Sequence, residues 1–436
     1  MEPVVVIGGG LAGSEAAYKL AQKGIKVKLF EMRPRVTTPA HRTGYLAELI
    51  CSNSLKSESL DTAQGLLKAE MRKMGSLILD CAEKCRVAAG SALAVDRDML
   101  GAMVTEIIEG HPLIEVVREE VAEIPKDGIV IVASGPLTAG ALAETIQGLT
   151  GAEYLHFYDA VAPIVTADSV DMNRAFRGSR YGKGSDDYIN CPMTDEEYAK
   201  FCEELIKADP VPLNEADRDL YFNACMPIEE IARRGPDTLK YGPMRPVGLP
   251  DPVTGKIPAA VVQLRNENQD GSMLGLVGFQ TRMKWGDQER VLRLIPALEN
   301  AVFLRLGVMH RNTFINSPNL LDSNLEFRNR PGLFFAGQLT GVEGYMESAA
   351  SGIWVGMNCA RVARGMNKLT LPEETMLGSL FRYVSDSETR SFQPMNANFG
   401  LLPSPENRIR NKKLRNTALS ERSLDILNKL SEEFSD

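Results

Sequence analysis

Residues 3–34 read PVVVIGGGLAGSEAAYKLAQKGIKVKLFEMRP, and how this stretch folds decides the architecture. Val4 to Ile7 is a short, β-branched, wholly apolar run, as a strand buried on both faces requires. Gly8, Gly10 and Gly13 follow as G-x-G-x-x-G. An alanine-rich helix continues to about Lys23, Gly24 closes it, and IKVKLF makes a second strand that ends at Glu31. Gly8 and Gly10 let the backbone turn tightly and approach a pyrophosphate. Gly13 lets the helix pack on the strand, and the helix N-terminus turns unpaired N–H groups toward the phosphates. Glu31 stands where a carboxylate accepts hydrogen bonds from a ribose diol. The unit is built for a dinucleotide.

Two distant segments choose between flavin and nicotinamide. Residues 129–136, IVIVASGP, form an apolar strand running into Ser-Gly-Pro, like the strand that returns to the nucleotide in two-dinucleotide flavoproteins. Residues 332–356, GLFFAGQLTGVEGYMESAASGIWVG, predict a strand, a glycine-rich turn at Gly337 and a helix from near Gly344. This resembles the second flavin-binding segment of the glutathione-reductase class, with Gln338 where an Asp often stands. A helix N-terminus there stabilises negative charge on a reduced flavin. Tyr345 is placed to cover the flavin, to stack on a substrate ring or to lie in the core. Because the two glycine segments are so far apart in the chain, FAD is favoured over a compact NAD unit. The expectation is an α/β fold with a Rossmann-like FAD-binding domain in two parts, residues 1–160 and 301–436, the second with a C-terminal helical tail. An α+β domain over 161–300 is inserted between them. Residues 96–110 read as a helix and 114–125 as a strand pair, in which the backbone near Val121 either contacts adenine or is a plain sheet edge.

With 436 residues the chain exceeds a single simple core. No apolar run approaches the ~20 residues of a membrane span, no secretory pattern opens the sequence, and the seven cysteines are odd in number and scattered. Reduced thiols in a cytoplasmic protein are expected. Cys81 and Cys85 lie four apart on a helix face, yet no second Cys/His pair completes a metal site, so both read as buried thiols and no metal is assigned. No obligate protein partner is evident. The net charge of −8 argues against indiscriminate nucleic-acid binding. Basic residues nevertheless cluster: Arg174, Arg177, Arg180 and Lys183 in NRAFRGSRYGKG, Arg282 and Lys284 in TRMKW, and five in RIRNKKLR, which includes Lys412. Each alone is more often a solvated face, while together they suit a polyanion.

Two cysteines stand in suggestive surroundings. In FNACMPIEEIARRG (222–235) a helix starts around Pro227 and ends before Gly235, which places Cys225 just outside its N-terminus. The helix dipole would lower the thiol pKa, and Glu229 and Glu230 act against it. Local chemistry leaves Cys225 open between a reactive thiol and a buried small residue. Cys51 opens a hydroxyl-rich run in ELICSNSLKSES (48–59), suited to a turn near a flavin ring or to a helix cap by Ser52 or Ser54.

Taken together, GGGLAGSEAAYKLAQKG, FEMRP, LICSNSLKS, YFNACMPIEEIARRG and FFAGQLTGVEGYMESAASG resemble the folate- and flavin-dependent tRNA (uracil-5-)-methyltransferases of bacteria, along essentially the whole chain. The flavoproteins that install carboxymethylaminomethyl groups on wobble uridines are related but longer. The resemblance implies FAD reduced by NADPH or NADH, 5,10-methylenetetrahydrofolate as one-carbon donor, and the T-arm of tRNA as substrate. It implies that a cysteine thiolate adds to uracil C6 so that C5 becomes nucleophilic, with Cys225 matching the nucleophile and Cys51 a second functional thiol. Arg174, Arg177 and Lys412 would then meet tRNA phosphates, and Arg282 and Lys284 would meet either RNA or the glutamate tail of folate. The rival readings are a flavin-dependent NAD(P)H oxidoreductase acting on a small thiol or other soluble acceptor, against which no C-x-x-C pair is present, and an RNA-binding protein that merely holds FAD.

Overall fold

A computed structural model describes residues 2–38, 40–151, 155–182, 186–212, 226–388, 392–405, 407, 409–430 and 434. Its central sheet is five-stranded and wholly parallel, in the order Leu333–Phe335, Val130–Val132, Val4–Ile7, Val27–Phe30, Ile114–Val117. Parallel strands covered on both faces need apolar residues at nearly every position. The three strands Val4–Ile7, Val130–Val132 and Leu333–Phe335 meet that need, with Val6, Val130, Ile131, Val132, Leu333, Phe334 and Phe335 all fully buried. The expected segments from the N-terminus, from 129–136 and from 332–356 thus lie side by side.

Helix Leu11–Gln22 follows the first strand, and helix Tyr345–Ala363 follows the last. The two pack closely because small residues face each other. A Cβ added at Gly352 would stand 2.1 Å from the Ala12 carbonyl oxygen, and one at Gly356 would stand 2.8 Å from that of Ala16. Helix Arg97–Glu109 forms where the sequence predicts it, with the Asp96 carboxylate accepting from the N–H groups of Asp98 and Met99. The strand pair expected over 114–125 does not form. Only Ile114–Val117 is a strand, because the Glu119 N–H turns back onto the Val117 carbonyl at 2.9 Å and exposed Glu119 and Glu120 follow. Val121 lies in the irregular stretch beyond and packs against the first core.

The chain leaves this layer through strand Leu155–Ala160 and returns through Met309–Phe314, and these two pair antiparallel as a two-stranded stalk. Between them is a six-stranded antiparallel sheet ordered Phe176–Arg177, Tyr188–Met193, Ala260–Asn266, Met273–Leu276, Ile164–Thr166, Phe303–Arg305, so its last strand lies beyond residue 300. It has its own core around Phe201, Val262, Leu274, Phe279 and Leu298. Helix Asp195–Lys207 covers it, started by a capping box between Thr194 and Glu197 and burying Tyr198, Phe201, Cys202 and Leu205.

Near the C-terminus, helix Lys412–Lys429 is capped by Asn411. It lies on the layer of the parallel sheet, where Asn416 and Ser420 donate to the carbonyls of Asp61 and Leu60. Cys81 and Cys85 are buried in the first core, and burial pushes Cys81 up to about 12. Among the described residues no helix is long and apolar enough to cross a membrane.

Candidate active site

The first glycine turn has the shape of an anion cradle. Gly8 has φ +104°, which only glycine adopts without strain. Gly13 must lack a side chain because a Cβ there would meet the Gly8 carbonyl oxygen at 1.8 Å. At Gly10 the same construction meets nothing within 4 Å, and no side chain caps helix Leu11–Gln22. Its first N–H groups therefore face open space, as a bound pyrophosphate requires.

Glu31 closes the turn. Its Oε2 accepts from the Gly9 N–H at 2.9 Å, and its Oε1 accepts from the N–H and Nε of Arg33 at 3.0 and 2.8 Å. Arg33 also bonds Glu48 at 2.8 Å and is fully buried. Burial opposes ionisation of Glu31, but the hydrogen bonds and charge of Arg33 outweigh it and hold the carboxyl below its usual range. The arginine of FEMRP thus keeps Glu31 an anion, ready to accept from a diol.

The second glycine segment ends at Gly344, φ +118°, which opens helix Tyr345–Ala363 without a side-chain cap. Tyr345, its first residue, reaches the LICSNS loop. The Tyr345 hydroxyl accepts from the N–H groups of Cys51 and Ser52 at 2.8 and 3.1 Å and lies 3.0 Å from Cys51 Sγ. Burial, then the charge of Asp159, pushes the Cys51 thiol up to about 12, and the Tyr345 hydroxyl is likewise pushed well above its usual range. Ser52 and Ser54 cap no helix. Ser52 Oγ accepts from Ser54 N–H and from Arg265 Nη2, each at 3.1 Å, and Ser54 begins strand Ser54–Ser57.

Around this pair stand groups that the sequence reading missed. Glu343 is buried and accepts from Gln338 Nε2 at 2.5 Å, and burial followed by the charge of Asp159 raises its carboxyl to about 8. Asp159 faces His310 across the stalk, Oδ2 to Nε2 3.7 Å. Arg97 donates to the carbonyls of Leu49 and Ile50 and forms an ion pair with Glu267 of the inserted sheet. Arg305 is buried, and burial followed by the charges of Arg97 and Arg42 lowers it to about 10. The Nε atoms of Arg97, Arg265 and Arg305 and Nδ1 of His310 are buried without a hydrogen-bond partner, an arrangement that a bound polar ligand would satisfy. Glu343 lies within GVEGYMES, between two glycines and beside Tyr345, with no spacing that marks it. Asp159, His310 and Arg305 carry no local pattern that marks them.

Several other candidates lie elsewhere. Cys225 lies outside the described residues, as does Lys183. Just past Cys225, helix Ile228–Arg233 turns the Glu229 carboxylate inward, where it accepts from Thr281 Oγ1 and the Arg282 N–H at 2.9 and 2.8 Å. Arg282 is paired with Glu230, Lys284 with Asp209 at 3.2 Å, and Arg174 with Glu197 and Glu299 at 3.3 and 3.7 Å. Arg177 sits exposed on an edge strand and Lys412 exposed at the first position of the tail helix.

The family model described as glucose inhibited division protein A matches residues 3–367. The methylenetetrahydrofolate–tRNA-(uracil-5-)-methyltransferase TrmFO of Moorella thermoacetica is 57% identical over 434 residues, spanning 100% of this chain and 99% of its own. The protein of the same name from Syntrophomonas wolfei is 59% identical over 432 residues, spanning 99% of each chain. Among solved structures, GidA of Aquifex aeolicus superposes with a TM-score of 0.72 at 18% identity, over 98% of this chain and 73% of that one. At that identity it is the fold that is shared.

Proposed function

The chain belongs to the glucose inhibited division protein A family, in its methylenetetrahydrofolate–tRNA-(uracil-5-)-methyltransferase (TrmFO) branch, and from that premise we propose that it methylates C5 of a T-arm uridine in tRNA. The one-carbon donor is 5,10-methylenetetrahydrofolate, the cofactor FAD and the reductant NADPH or NADH. The observation that carries this reading is the meeting of Cys51 with Tyr345, since it sets a thiol at the N-terminus of the second glycine-turn helix. The open space before Gly10 and the anionic Glu31 fit the pyrophosphate and ribose of FAD. When bound, FAD supplies a carrier for the one-carbon unit and the electrons that turn methylene into methyl.

The chain's own groups divide the remaining tasks. The N–H groups of helix Leu11–Gln22 hold the pyrophosphate and Glu31 takes the ribose hydroxyls. The uncapped N-terminus of helix Tyr345–Ala363 would favour negative charge on a flavin held beside it. Uracil C5 is a weak nucleophile until a thiolate adds at C6, and Cys225 takes that role by family resemblance. Cys51 keeps its proton at neutral pH and is a proton-holding thiol rather than a resting thiolate. Glu343, whose carboxyl is raised to about 8 by burial and then by the charge of Asp159, is mostly protonated at neutral pH and holds a second proton beside Cys51.

The test is to incubate the protein with tRNA lacking 5-methyluridine, labelled methylenetetrahydrofolate and NADPH. Label in the RNA supports the reading. NADPH consumption without labelled RNA points to a small-molecule oxidoreductase, and RNA binding without turnover to a binding protein. Cys225→Ala is expected to abolish transfer and keep the flavin absorption spectrum, so full activity in that variant removes Cys225 from the mechanism.

A further inference from the structure

Some basic side chains of the inserted unit are paired with acids, and others, Arg177, Lys256, Arg180 and Arg245 among them, have no carboxylate partner among the described residues. Arg174, Lys240, Arg282, Lys284 and Arg290 each pair with one or two carboxylates. Arg180 and Arg245 bond neutral oxygens instead. Arg180 Nη1 donates to the Val247 carbonyl at 3.0 Å, and Arg245 Nη2 donates to the Tyr181 hydroxyl at 3.4 Å. After burial, the charge of Arg245 is the influence that lowers the affinity of Arg180 for its proton. Two guanidiniums anchored on adjoining turns without a carboxylate partner can offer their charge to an anion.

Tyr181 is built into the same place. It adopts φ +61° and ψ +21°, a conformation rare for an aromatic residue. The surroundings hold it there: its N–H donates to the Gly248 carbonyl at 2.8 Å, and its ring lies so close over Gly248 that a Cβ there would come within 2.9 Å. The residue is nonetheless 58% exposed. The strained turn therefore presents an aromatic face beside the two guanidiniums.

The path from this cluster to the Cys51 loop is short. Arg265 donates to Ser52 Oγ, next to Cys51, and is in register with Tyr188 on the neighbouring strand. The Tyr188 carbonyl accepts from the Gly178 N–H at 3.0 Å, two residues before Arg180. Two strand spacings of about 4.8 Å each and one turn separate the sites, a distance one RNA strand covers in a few nucleotides.

We propose that Arg180, Arg245 and Tyr181 clamp the tRNA strand that flanks the reacting uridine, the two guanidiniums gripping a backbone phosphate and the tyrosine face stacking on a neighbouring base. The proposal rests on the tRNA reading above and adds where the RNA is held. Single-stranded loop bases are recognised by stacking on aromatic side chains and by arginine on phosphate. An arginine already neutralised by a carboxylate must give up that partner first, which is why Arg174 and Arg282 are poorer phosphate ligands than the sequence suggests.

The experiment measures binding of an unmodified tRNA transcript to the full chain by fluorescence anisotropy across a KCl series. In R180Q/R245Q, which loses one phosphate contact, the slope of log K against log salt is expected to shrink by about 0.7 to 0.9, and affinity at the lowest salt to fall at least tenfold. R290Q, whose arginine is acid-paired, should behave as the unchanged protein. Tyr181→Ala should weaken binding several-fold without altering the salt slope, and Tyr181→Phe should restore it. In the labelled-transfer assay the KM for tRNA of R180Q/R245Q should rise by more than kcat falls. An unaltered slope and affinity in R180Q/R245Q, with the unchanged protein binding tRNA normally, overturns the clamp alone. Failure of the unchanged protein to bind tRNA at all overturns the clamp together with the methyltransferase reading.

Discussion

A buried thiol near a carboxylate is a poor acid: burial first, and then the charge of Asp159, disfavours thiolate more than the Tyr345 hydrogen bond and the charge of Arg97 favour it. At Cys51 this lifts the pKa from 9.0 to about 12. The sign is direct: a raised thiol pKa leaves the protonated form in place at neutral pH, and thiolate grows only as pH climbs toward the shifted value. At pH 7.5 its thiolate fraction should be about a thousandfold below that of an unperturbed cysteine. Iodoacetamide labelling of Cys51, followed by peptide mass mapping, should accordingly be slow and still accelerating between pH 9 and 10. A rate that levels off near pH 8 would mean an activated thiol and a different role. Sequence reading named both Cys51 and Tyr345 but had no means to join them, because the bond between them closes across most of the chain. Glu31 is the opposite case: spacing alone marks it as a candidate ribose ligand, and the structure adds that Arg33 keeps it charged.

At the scale of the element, the two glycines of the first turn separate folding from binding. An added Cβ at Gly13 runs into the Gly8 carbonyl, whereas one at Gly10 enters open space. Gly13→Ala should therefore destabilise even the flavin-free protein, by about 1–3 kcal/mol as overpacking usually does, and lose the cofactor as a consequence. Gly10→Ala should unfold in urea at the same midpoint as the unchanged flavin-free protein and still fail to hold FAD, because the methyl group occupies the pyrophosphate's place. Equal denaturation midpoints for the two variants would contradict this division. The strand–turn–helix reading could be made from the sequence since steric demands within a turn are local. The strand pair expected over 114–125 failed for a related reason: alternation of apolar and polar residues does not report that the Glu119 N–H folds back on Val117 and ends the strand.

Across the whole molecule, the inserted sheet is tied to the Cys51 loop by part-buried polar contacts. Asn53 Nδ2 donates to the Asn266 carbonyl at 2.9 Å, Arg265 reaches Ser52, and Arg97 pairs with Glu267 while holding the Leu49 and Ile50 carbonyls. Glu267→Gln takes the counter-charge from a part-buried Arg97, a loss of about 1.5–3 kcal/mol, as for hydrogen bonds to charged groups. The expected result is retained flavin absorption, reduced transfer, and faster amide exchange at residues 50–53 and 265–267. Exchange that stays unchanged there would show the pair to be incidental. By itself the sequence determined the parallel flavin-binding layer, the insertion of a second unit and the glycine turns, because these depend on hydrophobic runs and short-range sterics that residue order writes directly. Only the tertiary structure decided which acids neutralise which bases, that Arg180 and Arg245 are left without a carboxylate partner among the described residues, and that Glu343, Asp159, His310 and Arg305 gather about Cys51. Those outcomes turn on which surfaces meet, and partners such as Arg97 and Glu267, 170 residues apart, become neighbours only when two separately built layers close on one another.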